Sequence, residues 1–467
     1  MIDVERQVEE LVTASFDAVP ATTAAEIVDA ARPLPRSPRR RWPAGVAALV
    51  VIALVGVLAA VAVDDGGGSS SRVGVGPHGV TAATDTDPVP SAPGEWTIDL
   101  GGEIPYPPVV AGGAAVVVSA NPDFTQTQVL ALDVATASRR WSIDLGSPVV
   151  SAPVAARGSV LLRLADDRLV ALDTADGSVR WTTTTGTADL SPPPAVAGDT
   201  VYVGSTDGLV QAVRAKTGTL LWQRHLEEGV VAPPTPIARG LLVSATEMPV
   251  GSGGGALYVL DDRGRVVDRV TASLPALTAP AGRGGIVAFT TFRGDPDFPF
   301  QADPTDLVIG GRRGAVRHRF PGNLSAPVVT RGYVAAVSDQ GVLRAYDTSD
   351  PERRLWTAEV GRNQGPQLLI ALSRLVVTGS NLVAIDATSG LQRWTAPVSD
   401  AFLGVSDDPN RVIAISRTNG SLAVVDTRDG NLVADFALHD APPGAVLHEG
   451  TLVWTGSGGV VSTARVP

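Results

Sequence analysis

The chain has 467 residues, a formal net charge of −11 and no cysteine. Disulfides and thiolate chemistry are therefore excluded. The acidic balance argues against a nucleic-acid ligand, which selects a basic surface.

Residues 1–42 precede the first long apolar run. Val4, Val8, Leu11, Val12 and Phe16 fall on one face of a short predicted helix that Pro20 ends, and Thr22 or Thr23 can cap a second through Ala31. This segment reads either as a docking peptide for a cytoplasmic partner or as a partly disordered leader. Residues 44–63, AGVAALVVIALVGVLAAVAV, are apolar or glycine throughout. About 20 residues at about 1.5 Å each span a hydrocarbon core. Arg36, Arg39, Arg40, Arg41 and Trp42 precede the run, and Asp64 and Asp65 follow it. The expectation is a transmembrane helix at 43–63 with the N-terminus cytoplasmic and the remainder extracytoplasmic. A cleaved signal peptide is the rival, but a polar lead of about 40 residues is long for one. Residues 64–94, rich in Gly, Ser, Thr, Pro and Asp, read as a flexible linker.

From residue 95 onward one phrase recurs. It reads ALDVATASRRW at 131–141, ALDTADGSVRW at 171–181, AVRAKTGTLLW at 212–222, AYDTSDPERRLW at 345–356 and AIDATSGLQRW at 384–394, with a weaker copy at 424–434. Spacings near 40 residues mean an array of structural repeats. Within a unit, four short runs are bounded by Gly, Pro, Asp or Thr and alternate apolar with polar residues, which predicts strands. The Asp at the end of the third strand can accept backbone N–H groups two or three residues on. Gly177, Gly218, Gly390 or Gly430 then supplies the positive φ of a tight hairpin. The Trp on the outermost strand is large enough to cover the gap to the next sheet, and its N–H can find a carbonyl there. Four antiparallel strands per unit predict an all-β propeller.

The phrase resembles the pyrroloquinoline-quinone (PQQ) propeller repeat, AxDxxTGxxxW, over roughly residues 95–467. The match is strong at Trp141, Trp181, Trp222, Trp356 and Trp394, and weak where Arg269, Arg317 and Ala434 fall near the Trp position. The same repeat occurs in the non-enzymatic propeller lipoprotein of the outer-membrane barrel-assembly machinery. The resemblance implies about eight blades. The residues themselves give eight whole units plus one split unit, because EWTIDLGG at 95–102 matches RWSIDLGS at 140–147 and reads as an orphan fourth strand completing the C-terminal three. PQQ dehydrogenases also share the repeat. That resemblance implies an adjacent cysteine pair over the quinone, a calcium ion and a catalytic Asp. No cysteine is present, and the other features match no motif of this chain. The expectation is a protein that is not an enzyme and takes no cofactor, with a propeller enzyme as the alternative.

Other constellations carry little chemistry. The five histidines, His78, His225, His318, His439 and His448, show no metal-ligand spacing, although His439 and His448 could meet across a turn. The Gly-rich run at 251–255 has no following Lys or helix and is not a phosphate loop. Asp166–Asp167, Asp261–Asp262 and Asp407–Asp408 fall at predicted turns, where Asp bonds locally. Three insertions between second and third strands, at 121–127, 248–255 and 293–306, are expected to share one face. The candidate partner-binding residues on them are Phe124, Met248, Phe298 and Phe300, with Asp295 and Asp297. The carboxylates Asp295, Asp297, Asp303 and Asp306 could instead hold calcium, without the spacing of a dedicated loop. The expected partner is another protein or an envelope component.

Overall fold

The computed structural model describes the backbone of Val89–Ala92 and residues 95–467, except 188–191, 251–252, 293–304, 312–313, 372 and 439–440. The span expected at 44–63 lies outside the described residues, and no helix among those described is long and apolar enough to cross a membrane.

Eight consecutive four-stranded antiparallel sheets follow one another. They are blades one to eight, at residues 109–144, 154–184, 195–225, 235–272, 281–320, 328–359, 368–396 and 401–437. A ninth sheet combines three C-terminal strands, Ala445–His448, Thr451–Thr455 and Val460–Arg465, with the N-terminal strand Glu95–Asp99. The number implied by the resemblance, eight, is therefore corrected to nine. The units that lack a repeat Trp, five and eight among them, are complete sheets nonetheless.

Closure of the ring follows the predicted clasp. Trp96 pairs with Thr463, Thr97 with Ser462, Ile98 with Val461 and Asp99 with Val460. The hydroxyls of Thr97 and Ser462 lie 2.9 Å apart. Val89–Ala92, at the end of the segment read as linker, adds a further antiparallel strand outside Glu95–Asp99. Val405–Ser406 adds a short parallel strand inside Ala445–His448, so this sheet has six strands.

The core is divided among the junctions between blades. Each neighbouring pair shares one apolar cluster, from Val116 and Leu162 between blades one and two round to Trp96, Val117 and Val461 between nine and one. Nine junctions for nine blades require a closed ring. Middle strands are covered by a neighbour on each side, so Ser159–Arg163 is buried at every position. Outermost strands keep the period-two pattern, and in Val179–Thr184 Trp181 is the one fully buried residue.

The repeat phrase accounts for the junctions. Asp173 Oδ1 accepts the Ala175 N–H at 2.8 Å, and Asp386 Oδ1 accepts those of Thr388 and Ser389 at 3.0 and 2.9 Å. The N–H of Gly177, at φ 72°, returns to the Asp173 carbonyl. A Cβ on Gly177 would come within 2.6 Å of the Trp141 indole, so glycine is required here by contact as well as by φ. Trp141 Nε1 donates to the Thr174 carbonyl at 3.0 Å. The same bond runs from Trp181 to Ala215, Trp356 to Ala387, Trp394 to Thr427 and Trp96 to Val134. Each indole thus locks its blade onto the turn of the next.

Trp222 departs from this expectation, being only half-buried and without such a bond among the described residues. The cause is the turn it faces. In blade four Gly264 closes onto Asp261, three residues back, whereas Gly177 and Gly390 close onto an Asp four residues back. The shorter turn still places Gly264 against the Trp222 ring, but no carbonyl among the described residues meets the indole N–H.

Candidate functional site: the insertion face and the outer rim

The three insertions sit where the repeat places them, in hairpins joining second and third strands. In the first, Asn121 organises the loop. Its carboxamide accepts the Gln126 N–H at 2.9 Å and donates to the Thr125 hydroxyl at 2.9 Å. Phe124 turns through φ 53° at the tip and is half-buried. In the second, the Gly254 carbonyl accepts from Glu247 N–H and Thr246 Oγ1 at 3.0 and 3.1 Å. Met248 is 40% exposed and lies over Gly229, where a Cβ would meet its Cγ at 2.7 Å. Phe298, Phe300, Asp295 and Asp297 fall outside the described residues. Asp306, read from sequence as the last carboxylate of the third insertion, belongs to the strand Thr305–Gly311. It is buried and pairs with Arg319 at 3.4 Å, so its side chain serves the sheet.

The remaining acidic candidates have local roles. Asp166 pairs with Arg168 at 2.7 Å, Asp261 accepts the Arg263 and Arg265 N–H groups, and Asp408 accepts the Asn410 N–H. Asp407 pairs with His448 Nδ1 at 2.7 Å. His318 stacks on Tyr346 at 3.6 Å and donates from Nε2 to the Pro351 carbonyl; burial lowers its pKa and favours the neutral ring. His439 lies outside the described residues, so its pairing with His448 is not seen. Among the described residues no three His, Asp or Glu side chains converge on a metal position.

Three features escaped the sequence reading. Arg163, wholly buried between blades two and three, donates to the Gly204 and Gly186 carbonyls and to Thr185 Oγ1. Burial lowers its pKa to about 10, against the pull of Asp167 and Asp207. A groove of about 250 Å³ lies at the closing junction, lined by Asp133, Arg140, His448, Glu449 and Arg465. The third feature is the rim. On the outermost strands, Arg140, Arg180 and Arg393 each precede the repeat Trp and pair with the turn aspartates Asp133, Asp173 and Asp386 at 2.7, 2.8 and 2.6 Å. The Arg393 hydrogen bonds, with the Ser389 N–H, hold the Asp386 carboxyl well below the usual range. Blades three, four and six carry Leu221, Val267 and Leu355 there instead, and all three are exposed. The signal lay in the repeat alignment, as an aliphatic residue where other copies hold Arg.

A family model described as outer membrane protein assembly factor BamB matches residues 56–232 and 206–298, together more than half of the chain. The chain belongs to this family. No curated protein matches it significantly. Similar solved structures include BamB from Moraxella catarrhalis, at 16% identity, covering 77% of this chain and 95% of that one with a TM-score of 0.48. A quinohemoprotein alcohol dehydrogenase from Pseudomonas putida HK5 shows 13% identity, coverage of 70% and 76%, and a TM-score of 0.48. A computationally designed protein, Ika8, shows 14% identity, coverage of 68% and 96%, and a TM-score of 0.49.

Proposed function

We propose that the chain is a membrane-tethered, extracytoplasmic propeller that binds another protein and carries out no chemistry of its own. The observation that supports this most is where the repeated polar residues spend their hydrogen bonds. The indoles bond to neighbouring turns, and the aspartates bond to their own turns and to rim arginines. A residue that does the same work at one junction after another is structural. The irregular parts of the chain are the inserted hairpins, and binding residues on repeat scaffolds concentrate on such loops. Family membership supports a protein partner, since the family is described as an assembly factor of the outer membrane. The apolar run at 44–63, with arginines before it and aspartates after it, supports the tether and its N-in orientation.

The second and third insertions lie in consecutive blades, four and five, so they can form one patch. The test replaces Phe298 and Phe300 together with Ser in the full chain, and measures melting and the capture of detergent-solubilised envelope proteins. Unchanged melting with a loss of capture of at least about tenfold is expected, as for truncated aromatic anchors. Undiminished capture would place the partner elsewhere. A melting loss like that of a core substitution would show that the loop packs inward.

A further inference from the structure

We infer that the outer edge of blades three and four accepts an extended apolar strand from a partner protein. This rests on the protein-binding reading above and names the surface and the chemistry of its ligand. The outermost strand of any blade presents a row of unpaired N–H and C=O groups. Among the described residues, four of the nine blades guard that row in one of two ways. Blades one, two and seven place Arg140, Arg180 and Arg393 on it. Blade nine covers it, because Val89–Ala92 pairs antiparallel onto Glu95–Asp99, and Pro90 has no N–H with which to extend the sheet further.

Blades three, four, five, six and eight have neither guard, but of these only three and four open the outermost strand with two adjacent exposed aliphatic residues. Blade six exposes Leu355 beside Arg354, and blade eight Leu432 beside half-buried Val433. Among the described residues the outermost strands of blades three and four, Leu220–His225 and Val266–Ala272, pair only inward, with Leu209–Arg214 and Gly255–Leu260. The charged residues of the two strands stand further along, Arg224 donating to the Gly264 carbonyl and Arg269 pairing with Glu227 and Glu228. Leu220, Leu221, Val266 and Val267 are all exposed, Val267 at 60%. These strands are also less tightly docked than their counterparts. Trp222 is half-buried, and Asp268 faces Val259 at the register position where Trp222 faces Ala212. The occupant is indicated by blade nine, where the equivalent edge of this same chain already holds an added antiparallel strand. Main-chain hydrogen bonds supply affinity in such an addition, and alternate side chains supply selectivity. The four aliphatic residues select a segment with apolar residues at alternate positions and no charge among them.

The test selects random 12-residue peptides displayed on phage against the immobilised full chain, then titrates the recovered peptides by fluorescence anisotropy. The targets are the wild type, the pair Leu221→Arg with Val267→Arg, the milder pair Leu221→Thr with Val267→Thr, and Met248→Ser. Recovered peptides should alternate Val, Ile or Leu with polar residues. The arginine pair should weaken them at least about tenfold, or about 1.4 kcal/mol, at unchanged melting temperature. The threonine pair should weaken them in the same direction, and Met248→Ser should not. Equal affinity for the wild type and both rim pairs, or recovery of no peptide, would overturn the inference. Loss confined to Met248→Ser would do so while leaving the protein-binding reading standing. A dimer in sedimentation that the arginine pair abolishes would assign the edge to a second copy and overturn it as well.

Discussion

Deletion of residues 95–99 should open the ring and lower the stability of the whole propeller, not of one blade alone. Trp96 and Ile98 are buried, and their cluster joins blade nine to blade one through Val117, Leu130, Leu132 and Val461. Removing the strand uncovers that junction and leaves the edge of Val460–Arg465 unpaired. The loss of Trp96 alone should cost about 3–5 kcal/mol, as large buried aromatics do when truncated. That is a large part of the 5–15 kcal/mol typical of folded domains. Urea unfolding should show a strongly lowered midpoint for the deletion, and Trp96→Ala should reproduce much of it. A midpoint equal to that of the wild type would show that the N-terminal strand does not carry the closure.

Trp181 and Trp222 should respond very differently to truncation, although both occupy the same place in the repeat. Trp181 is 8% exposed, donates to the Ala215 carbonyl at 2.8 Å and covers Gly218. Its replacement by Ala should cost about 3–5 kcal/mol through the lost burial and the cavity left behind. Trp222 covers Gly264 and tilts against Tyr202 at 6.0 Å, but is half-buried and lacks the indole bond. Trp222→Ala should cost roughly half as much or less, since less area returns to water. Equal losses in urea unfolding would contradict this division of the repeat tryptophans into locked and loose.

The particulars explain what the sequence disclosed. The turns were legible because an Asp that must cap its own hairpin, and a Gly that must adopt positive φ beneath an indole, leave few alternatives. The clasp was legible because Trp96 and Trp141 sit in nearly identical strands and do the same work. Blades five and eight were harder, since Arg317 and Ala434 stand near the Trp position and only strand patterning marks the units. The half-burial of Trp222 depends on the length of a turn about 40 residues away, a relation between neighbours that no single repeat contains. Asp306 was read as part of a loop because a carboxylate after a run of Pro and Asp looks like a turn; pairing with Arg319 holds it in the sheet. The rim was visible only by comparison, as Leu221, Val267 and Leu355 where blades one, two and seven hold Arg140, Arg180 and Arg393. Arg163 was missed because its partners are two backbone carbonyls, of the next blade and of the connecting loop, and one hydroxyl, Thr185, a set that no side-chain motif encodes.

The most direct test of a non-catalytic role is titration of the purified full chain with PQQ in excess Ca²⁺, followed by quinone absorbance and by melting. A ligand at about 100 times its Kd stabilises a fold by about 2.7 kcal/mol, so specific binding would be plain in the melting curve. The expected result is no retained quinone and an unmoved melting temperature. Stoichiometric retention of PQQ with a raised melting temperature, and dye-linked oxidation of an alcohol by the loaded protein, would contradict it.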